Sequence, residues 1–135
     1  DDMGAYVAGQ LVKQMVKQRI HVAGSRVLVM GLTFKENCPD LRNTRVVDVL
    51  AELADYGVAV EVYDPQVNKE EAEREYGVRP VEEPETGAYD AILLAVGHRE
   101  FHELGVDAIR GWGKPEHVLY DLKYVLPKEA VGLRL

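Results

Sequence analysis

The stretch RVLVMGLTFKENCPDLRNTR, residues 26–45, decides how the whole chain is interpreted. It begins with the apolar run VLVM, which predicts a buried strand. Gly31 ends that run and opens a long loop that carries several basic residues. In α/β proteins, ligands lie in the crevice outside the carboxyl ends of the strands. We therefore predict that this segment, called loop 31–45 below, grips the phosphates and base of a nucleotide-bearing ligand.

The composition is that of an ordinary globular domain. The chain has 135 residues, of which 47% are hydrophobic and 29% charged, which suits a single domain. No apolar run approaches the ~18 residues that span a bilayer, and no secretory signal pattern is visible. The single cysteine, Cys38, cannot form an internal disulfide, which fits a reducing compartment. We predict a cytoplasmic protein without a membrane partner.

The charge distribution favours a small anionic ligand. The net charge is −7, which argues against non-specific binding of nucleic acid because such binding needs a basic surface. Residues 32–45 nevertheless carry a net charge of +1, so that the rest of the chain carries −8. A locally cationic loop on an acidic body suits a small anion better than a polyanion.

The remaining pattern alternates helices and strands. Apolar periodicity predicts a helix over residues 1–19, and its stripe consists of Met3, Tyr6, Val7, Leu11, Val12, Met15 and Val16. Further helices are predicted between an N-cap at Asn43 or Thr44 and a C-terminal Gly57, and over residues 69–76 and 99–110. Strands are predicted at residues 27–30, 58–63, 89–96 and 118–122, with a short strand or extended piece at 78–81. This order predicts an α/β fold, namely a small doubly wound Rossmann-like parallel sheet with helices on both faces, preceded by an N-terminal helix.

A dinucleotide site is the first hypothesis to test in such a fold. The fingerprint G-x-G-x-x-G lets the backbone approach a pyrophosphate. Here the first strand is followed by one glycine, Gly31, and by a loop that is too long for the tight turn. Asp64 ends the second strand, where a ribose-binding acid would stand, but it lacks the glycines. The sequence does not predict a self-sufficient dinucleotide-binding domain.

Loop 31–45 offers several candidate ligand contacts, each with a structural alternative. Lys35 can supply a point charge to a phosphate, and the neighbouring Phe34 can pack against a base or sugar or belong to the core. Arg42 can grip a phosphate through two parallel hydrogen bonds, or pair with Asp40 as a staple within the loop.

Other reactive residues are assigned structural roles. Cys38 has no histidine near it in sequence to activate the thiol. His98 follows a central strand, which places it at the ligand-facing edge of the sheet; it is a candidate to support the ligand-contacting residues from behind, but we expect it to form local hydrogen bonds. The histidines form no metal-spaced cluster, and no catalytic residue is predicted.

The chain resembles the C-terminal domain of the UDP-glucose/GDP-mannose dehydrogenase family. The resemblance rests on residues 29–44, which have a glycine after the strand, an aromatic–lysine pair, Asp-x-Arg and a hydroxyl residue before the helix. Residues 62–65, 89–91 and 120–121 also match. The form GLTFKENCPDLRNT, with AVGHREF at residues 95–101, most resembles the bacterial branch that acts on UDP-N-acetylhexosamines in surface polysaccharide synthesis.

The resemblance implies a function and site residues. Family members oxidise the sugar C6 alcohol to a carboxylate with NAD, through a covalent intermediate on a cysteine. It implies that Phe34, Lys35 and Lys123 contact the UDP-sugar, although Lys123 stands where many members have arginine. It implies that Arg42 reaches NAD, which an absent N-terminal domain mainly holds.

The resemblance also implies a domain organisation. Residues 1–22 would be the end of a helix from an absent central domain, and residues 23–135 the UDP-sugar-binding domain. It further implies a homodimer in the full-length enzyme and a fragment that is inactive alone. The alternative is a non-catalytic dimerisation or interaction module, and a free-standing nucleotide-dependent enzyme is the third reading.

Overall fold

One parallel sheet with helices on both faces organises the chain. The computed structural model describes residues 3–134. Its elements are α1 (Met3–Lys17), β1 (Arg26–Met30), α2 (Val46–Asp55), β2 (Ala59–Tyr63), α3 (Lys69–Tyr76), β3 (Tyr89–Leu94), α4 (Arg99–Arg110), β4 (Gly113–Asp121), a 3₁₀ turn (Lys128–Ala130) and β5 (Leu133–Arg134). The predicted fold class is confirmed.

The strand order places the ends of β1 and β3 side by side. The order is β2-β1-β3-β4-β5, and every neighbouring pair is parallel. The chain leaves β1 toward β2 on one side and returns to β3 on the other, so the strand order reverses between β1 and β3. Met30 pairs with Leu94 at this point. Loop 31–45 therefore begins at the topological switch point, where ligands of such sheets bind.

The sheet separates two hydrophobic clusters. Val27 and Val29 of β1 belong to one cluster together with buried residues of α1 and α2. Leu28 and Met30 belong to the other, with Phe101 of α4. Successive side chains of a strand point to opposite faces, and the strands of a parallel sheet are buried on both faces. This explains why β1 is an uninterrupted apolar run.

The first helix packs into the core on a narrower stripe than predicted. Val7, Leu11 and Met15 are fully buried and pack with the same cluster as α2. Met3, Tyr6 and Val16 were predicted to belong to the apolar stripe, but they are 48%, 54% and 60% exposed. That part of the prediction is wrong: the buried face of α1 instead includes the small residue Gly4, which lies against α2. A β-carbon there would lie 2.8 Å from the β-carbon of Asp48. The predicted helix also included residues 1 and 2, which lie outside the described residues.

The remaining differences lie at element ends. Residues 78–81 form no strand; Val81 donates one backbone hydrogen bond to Val62 at the sheet edge, so this segment is the extended piece. The last predicted strand begins earlier, at Gly113, and the sequence analysis missed β5. The N-cap residue of α2 is Arg45, one position beyond the predicted cap. The helix 69–76 has the predicted bounds.

Candidate functional site

An open cavity of about 530 Å³ lies at the carboxyl edge of the sheet, at the switch point. One wall is formed by loop 31–45, one by residues 95–97 after β3, and one by Lys123 after β4. Its floor is apolar, with Val46, Ala95 and Val96 among the lining residues, and its rim is charged. An apolar floor with a few convergent polar groups is the usual composition of a small-molecule site.

The structure brings three of the four predicted site residues together. Phe34, Lys35 and Lys123 all line the cavity, although Lys123 is far from the other two in sequence. Phe34 is 56% exposed, so the alternative that it is a core residue is wrong. Within residues 3–134, neither lysine ammonium group has an ion-pair or hydrogen-bond partner in the protein. Two cations and an exposed aromatic ring are therefore available to a ligand.

Arg42, the fourth predicted residue, does not line the cavity. Its side chain is 85% exposed, and its guanidinium makes two parallel hydrogen bonds to Asp40, Nε to Oδ1 at 3.0 Å and Nη2 to Oδ2 at 3.0 Å. The alternative role of Arg42, a pairing with Asp40 within the loop, is thus present. The hydrogen bonds from Arg42 lower the pKa of the Asp40 carboxyl to about 2. The contact of Arg42 with NAD stays a prediction.

Two charged cavity residues were not selected from the sequence. Glu36 follows Lys35 directly, and Arg45 is the N-cap residue of α2; both line the cavity. Among residues 3–134, Arg45 forms an ion pair with Asp48, whose Oδ2 lies 3.9 Å from Nη1, which is too long for a hydrogen bond. Arg45 was visible as part of the cationic loop, but nothing in the sequence indicated that it faces the same space as Lys123.

Asp64 fixes the start of loop 31–45 from the end of β2. Its Oδ2 accepts hydrogen bonds from the backbone N–H of Leu32 at 2.7 Å and from Nε2 of His98 at 3.0 Å. Its Oδ1 accepts the backbone N–H of Gln66 at 2.9 Å. Burial by itself would raise the pKa of this carboxyl, but the hydrogen bonds from His98 and the two backbone amides lower it on balance.

Further hydrogen bonds fix the other parts of the wall. The hydroxyl of Thr44 donates to the carbonyl of Leu32 at 2.6 Å and accepts the N–H of Val46 at 3.2 Å. The loop therefore closes on itself just before α2. On the opposite side, the buried carboxylate of Asp121 accepts the backbone N–H groups of Lys123 at 3.1 Å and Leu126 at 2.8 Å. This turn presents Lys123 to the cavity.

Residues 3–134 do not form a dinucleotide cradle. Gly31 has φ +100, and a β-carbon there would lie 2.6 Å from the β-carbon of Val96. This glycine is thus required by packing between β1 and β3, and its α-carbon faces protein instead of a pyrophosphate. Asp64, the acid at the ribose position, is 1% exposed and its oxygens are occupied by internal hydrogen bonds. These residues do not fit NAD.

Other classes of site are not found in the described part of the chain. Residues 3–134 contain no group of three or more potential metal ligands from His, Cys, Asp and Glu. No helix in the same range has the length and apolar character needed to cross a membrane. Cys38 is free and half-buried, and it does not line the cavity. His98 is buried and forms the local hydrogen bonds that were predicted for it.

A parallel sheet with a cationic, aromatic-edged cavity at its switch point defines a Rossmann-like domain of the nucleotide-binding class. Comparison with known proteins is more specific. The chain belongs to the UDP-glucose/GDP-mannose dehydrogenase family, since the model of that family's UDP binding domain matches residues 28–128.

Relatives and solved structures agree with this assignment. The chain is 62% identical over its whole length to the UDP-N-acetyl-D-glucosamine 6-dehydrogenase of Pseudomonas aeruginosa and 56% identical to that of Salmonella typhi. It spans 32% of the length of each of these relatives. The NDP-N-acetyl-D-galactosaminuronic acid dehydrogenase of Methanosarcina mazei superposes with a TM-score of 0.83 at 25% identity, over 96% of this chain and 27% of that protein.

Proposed function

We propose that this chain binds the UDP portion of a UDP-sugar in the cavity at its switch point. The observation that carries the proposal is the convergence of Phe34, Lys35 and Lys123 on one cavity, with neither ammonium group paired to any residue among 3–134. The match to a UDP binding domain names the ligand class that these groups suit. A diphosphate ligand also gives a role to the net charge of +1 that residues 32–45 carry within a chain of net charge −7.

The chemistry of each residue indicates its part in binding. Lys35 and Lys123 offer positive charge to the diphosphate, and each ammonium can donate up to three hydrogen bonds. Phe34 offers an exposed ring face against which a sugar or base can pack. Glu36 accepts hydrogen bonds only, so it suits hydroxyl or amide donors of the ligand and not its phosphates. Lys123 acts as a point charge and not as a planar fork.

The larger activity needs residues that this chain does not supply. The names of the two bacterial relatives support a 6-dehydrogenase that acts on a UDP-N-acetylhexosamine, and the family resemblance implies NAD as its cofactor. Because residues 3–134 form no dinucleotide cradle and Cys38 lies off the cavity, NAD and the nucleophile would be held by other domains, and residues 3–134 would be inactive alone. In that enzyme, residues 1–22 would link to the central domain, Arg42 would reach across the cleft toward NAD, and the protein would be a cytoplasmic homodimer.

Calorimetric titration with UDP tests the ligand assignment. Lys35→Ala and Lys123→Ala each remove one charged donor, which is worth roughly 1.5 kcal/mol, so each should weaken UDP about tenfold. Lys13→Ala is the matched control, since Lys13 is exposed on α1 away from the cavity, and it should leave affinity unchanged. If Lys35→Ala and the control bind UDP equally well, the site assignment is wrong.

The second candidate function is self-association through α1. The observation that favours it is the exposure of Met3, Tyr6 and Val16 on one helix. Sedimentation equilibrium of the chain measures this property directly. Dimerisation that Tyr6→Ser abolishes, with a melting temperature insensitive to UDP, would favour an interaction module over the binding domain. A monomer whose melting temperature rises with UDP would favour the binding domain.

A further inference from the structure

His98 contacts several residues that form or support the wall of the cavity, yet it does not line the cavity itself. Its side chain is 0% exposed and lies between the end of β3 and the start of α4. Both ring nitrogens are occupied. Nε2 is 3.0 Å from Oδ2 of Asp64 and 3.2 Å from Oγ1 of Thr33, and Nδ1 accepts the backbone N–H of Asn37 at 3.0 Å.

The hydrogen-bonding pattern fixes the tautomer of the ring. A backbone N–H can only donate, so the nitrogen facing Asn37, Nδ1, must offer its lone pair. The proton of the neutral ring is then on Nε2, where it is donated to the carboxylate of Asp64. The two nitrogens thus have different partners. Nε2 lies against Asp64 at the end of β2 and against the Thr33 hydroxyl at the start of loop 31–45, whereas Nδ1 meets the backbone of Asn37 further along that loop.

Thr33 and Asn37 bracket the three ligand-facing residues. Phe34, Lys35 and Glu36 lie between them in sequence and line the cavity. The hydroxyl of Thr33 donates to the carbonyl of Lys35 at 3.1 Å, and it touches the ring of His98 on its other side. The residues that flank this three-residue stretch, Thr33 and Asn37, therefore both contact the imidazole of His98.

Asn37 is held in a conformation that a free loop would seldom adopt. Its φ is +57, in the left-handed region that is uncommon for residues other than glycine. Its Oδ1 accepts the backbone N–H of Arg99 at 2.8 Å, in the first turn of α4. Since His98 itself provides no side-chain cap for that helix, Asn37 performs this role from loop 31–45. The loop and α4 are tied together at this residue.

We propose that His98 is a positioning residue for the UDP site, and that its two nitrogens have separable effects. The contact of Nε2 with Asp64 stabilises the fold, whereas the contact of Nδ1 with Asn37 holds Lys35 and Glu36 in place for the ligand. The identity of the ligand in this inference rests on the proposed function. The support that His98 gives to loop 31–45 does not depend on it. A ligand that meets a preorganised loop avoids the entropic cost of ordering it.

Two substitutions at His98 separate the two contacts. In His98→Gln, the amide nitrogen reaches the place of Nε2 and can donate to Asp64, but the acceptor for Asn37 is lost. In His98→Asn, the amide oxygen takes the place of Nδ1, but the donor to Asp64 is lost. We expect the melting temperature to fall more in His98→Asn, and the affinity for UDP to fall more in His98→Gln, by about fivefold. His102→Gln is the control on the exposed face of α4.

A readout on the free protein makes the test independent of UDP binding. The ¹H–¹⁵N heteronuclear NOE of the Lys35 and Glu36 amides should fall in His98→Gln, because the loop loses one support. Asn37→Gly keeps the positive φ at no cost but removes the bond to Arg99, and should lower the same NOEs. The two variants remove different hydrogen bonds at residue 37, since glycine keeps the backbone N–H that Nδ1 of His98 accepts, so each variant reports on one tie of loop 31–45.

The outcomes distinguish the two proposals. If the wild-type chain binds no UDP while the NOEs fall as expected, the proposed ligand is wrong and the positioning role stands. If melting temperature, NOEs and affinity all fall in the same order in the two His98 variants, then His98 is only a structural residue and the inference is overturned. If His98→Asn fails to fold, the comparison of His98→Gln with His102→Gln still decides, because equal NOEs and equal UDP affinity in these two variants would overturn the inference.

Discussion

Replacing Asp64 by asparagine should destabilise the chain strongly, although the two side chains have the same shape. The carboxylate is buried and accepts hydrogen bonds from Leu32, Gln66 and His98. An asparagine has one acceptor oxygen, so its amide N–H₂ must face at least one of these donors. Hydrogen bonds to a charged group are each worth about 1.5–3 kcal/mol, against about 1 kcal/mol for neutral ones. Losing one bond and weakening the others costs about 3 kcal/mol.

This loss is large enough to measure by thermal and urea unfolding. For a chain of this size, about 3 kcal/mol lowers the melting temperature by roughly 10 °C. Asp55→Asn is the matched control, because Asp55 is exposed at the end of α2, and it should change stability by less than about 0.5 kcal/mol. If Asp64→Asn costs no more than this control, Asp64 does not hold the β1 and β2 ends together and the account of the loop fails.

The pH dependence of the stability difference between wild type and Asp64→Asn tests whether folding lowers the pKa of Asp64. In the folded protein the pKa of Asp64 lies below its ordinary value of 3.8, so the folded state favours the carboxylate. The stabilisation is complete above the unfolded pKa and is lost as the pH falls through the folded pKa. The difference in stability between wild type and Asp64→Asn should be constant above about pH 5 and shrink below about pH 4. A difference that grows on acidification would refute the reasoning.

Three further predictions concern loop 31–45 and its neighbours. Gly31→Ala should lower the free energy of unfolding in urea by more than about 3 kcal/mol, because it combines φ +100 with a β-carbon 2.6 Å from a side-chain carbon of the neighbouring segment. Gly87→Ala is the control: its φ is +65 and the space around it is open, so it should show only the conformational cost. Gly97→Ala should leave the melting temperature nearly unchanged but weaken UDP severalfold in calorimetry, since its methyl group would enter the cavity 3.0 Å from a flexible carboxylate. The pKa of Asp40, followed by carbon-detected NMR, should be about 2 and rise toward 3.8 in Arg42→Ala; an unchanged value would exclude the pair in solution.

The sequence predicted those features that depend on neighbours in the chain. β1 was visible because four apolar residues in a row are buried on both faces, and the bounds of α3 followed from a glycine stop after a polar helix. The predicted apolar stripe of α1 was too wide. Helical periodicity does not show that the buried face contains Gly4, which packs against α2, or that Tyr6 is exposed. The strand β5 was missed because a two-residue strand has no periodicity.

The site residues likewise divide into those that the sequence indicated and those that only the structure revealed. Phe34 and Lys35 stood out because they follow β1 directly, whereas the place of Lys123 beside them depends on strand order, and its selection rested on the family resemblance. Arg45 and Glu36 were not selected, since a charge in a loop does not reveal which way it faces. The roles of Asp64 and His98 required the structure, because each acts through hydrogen bonds to residues more than thirty positions away.

Mapping of UDP onto the chain by ¹H–¹⁵N NMR tests the central claim most directly. Titration should shift the amides of residues 33–36, 95–97 and 123 together, along one saturating curve, and leave those of residues 69–76 unchanged. Uridine, which lacks the diphosphate, should produce much smaller shifts at the same concentrations. Shifts centred away from this edge of the sheet, or equal shifts with uridine and UDP, would contradict the account.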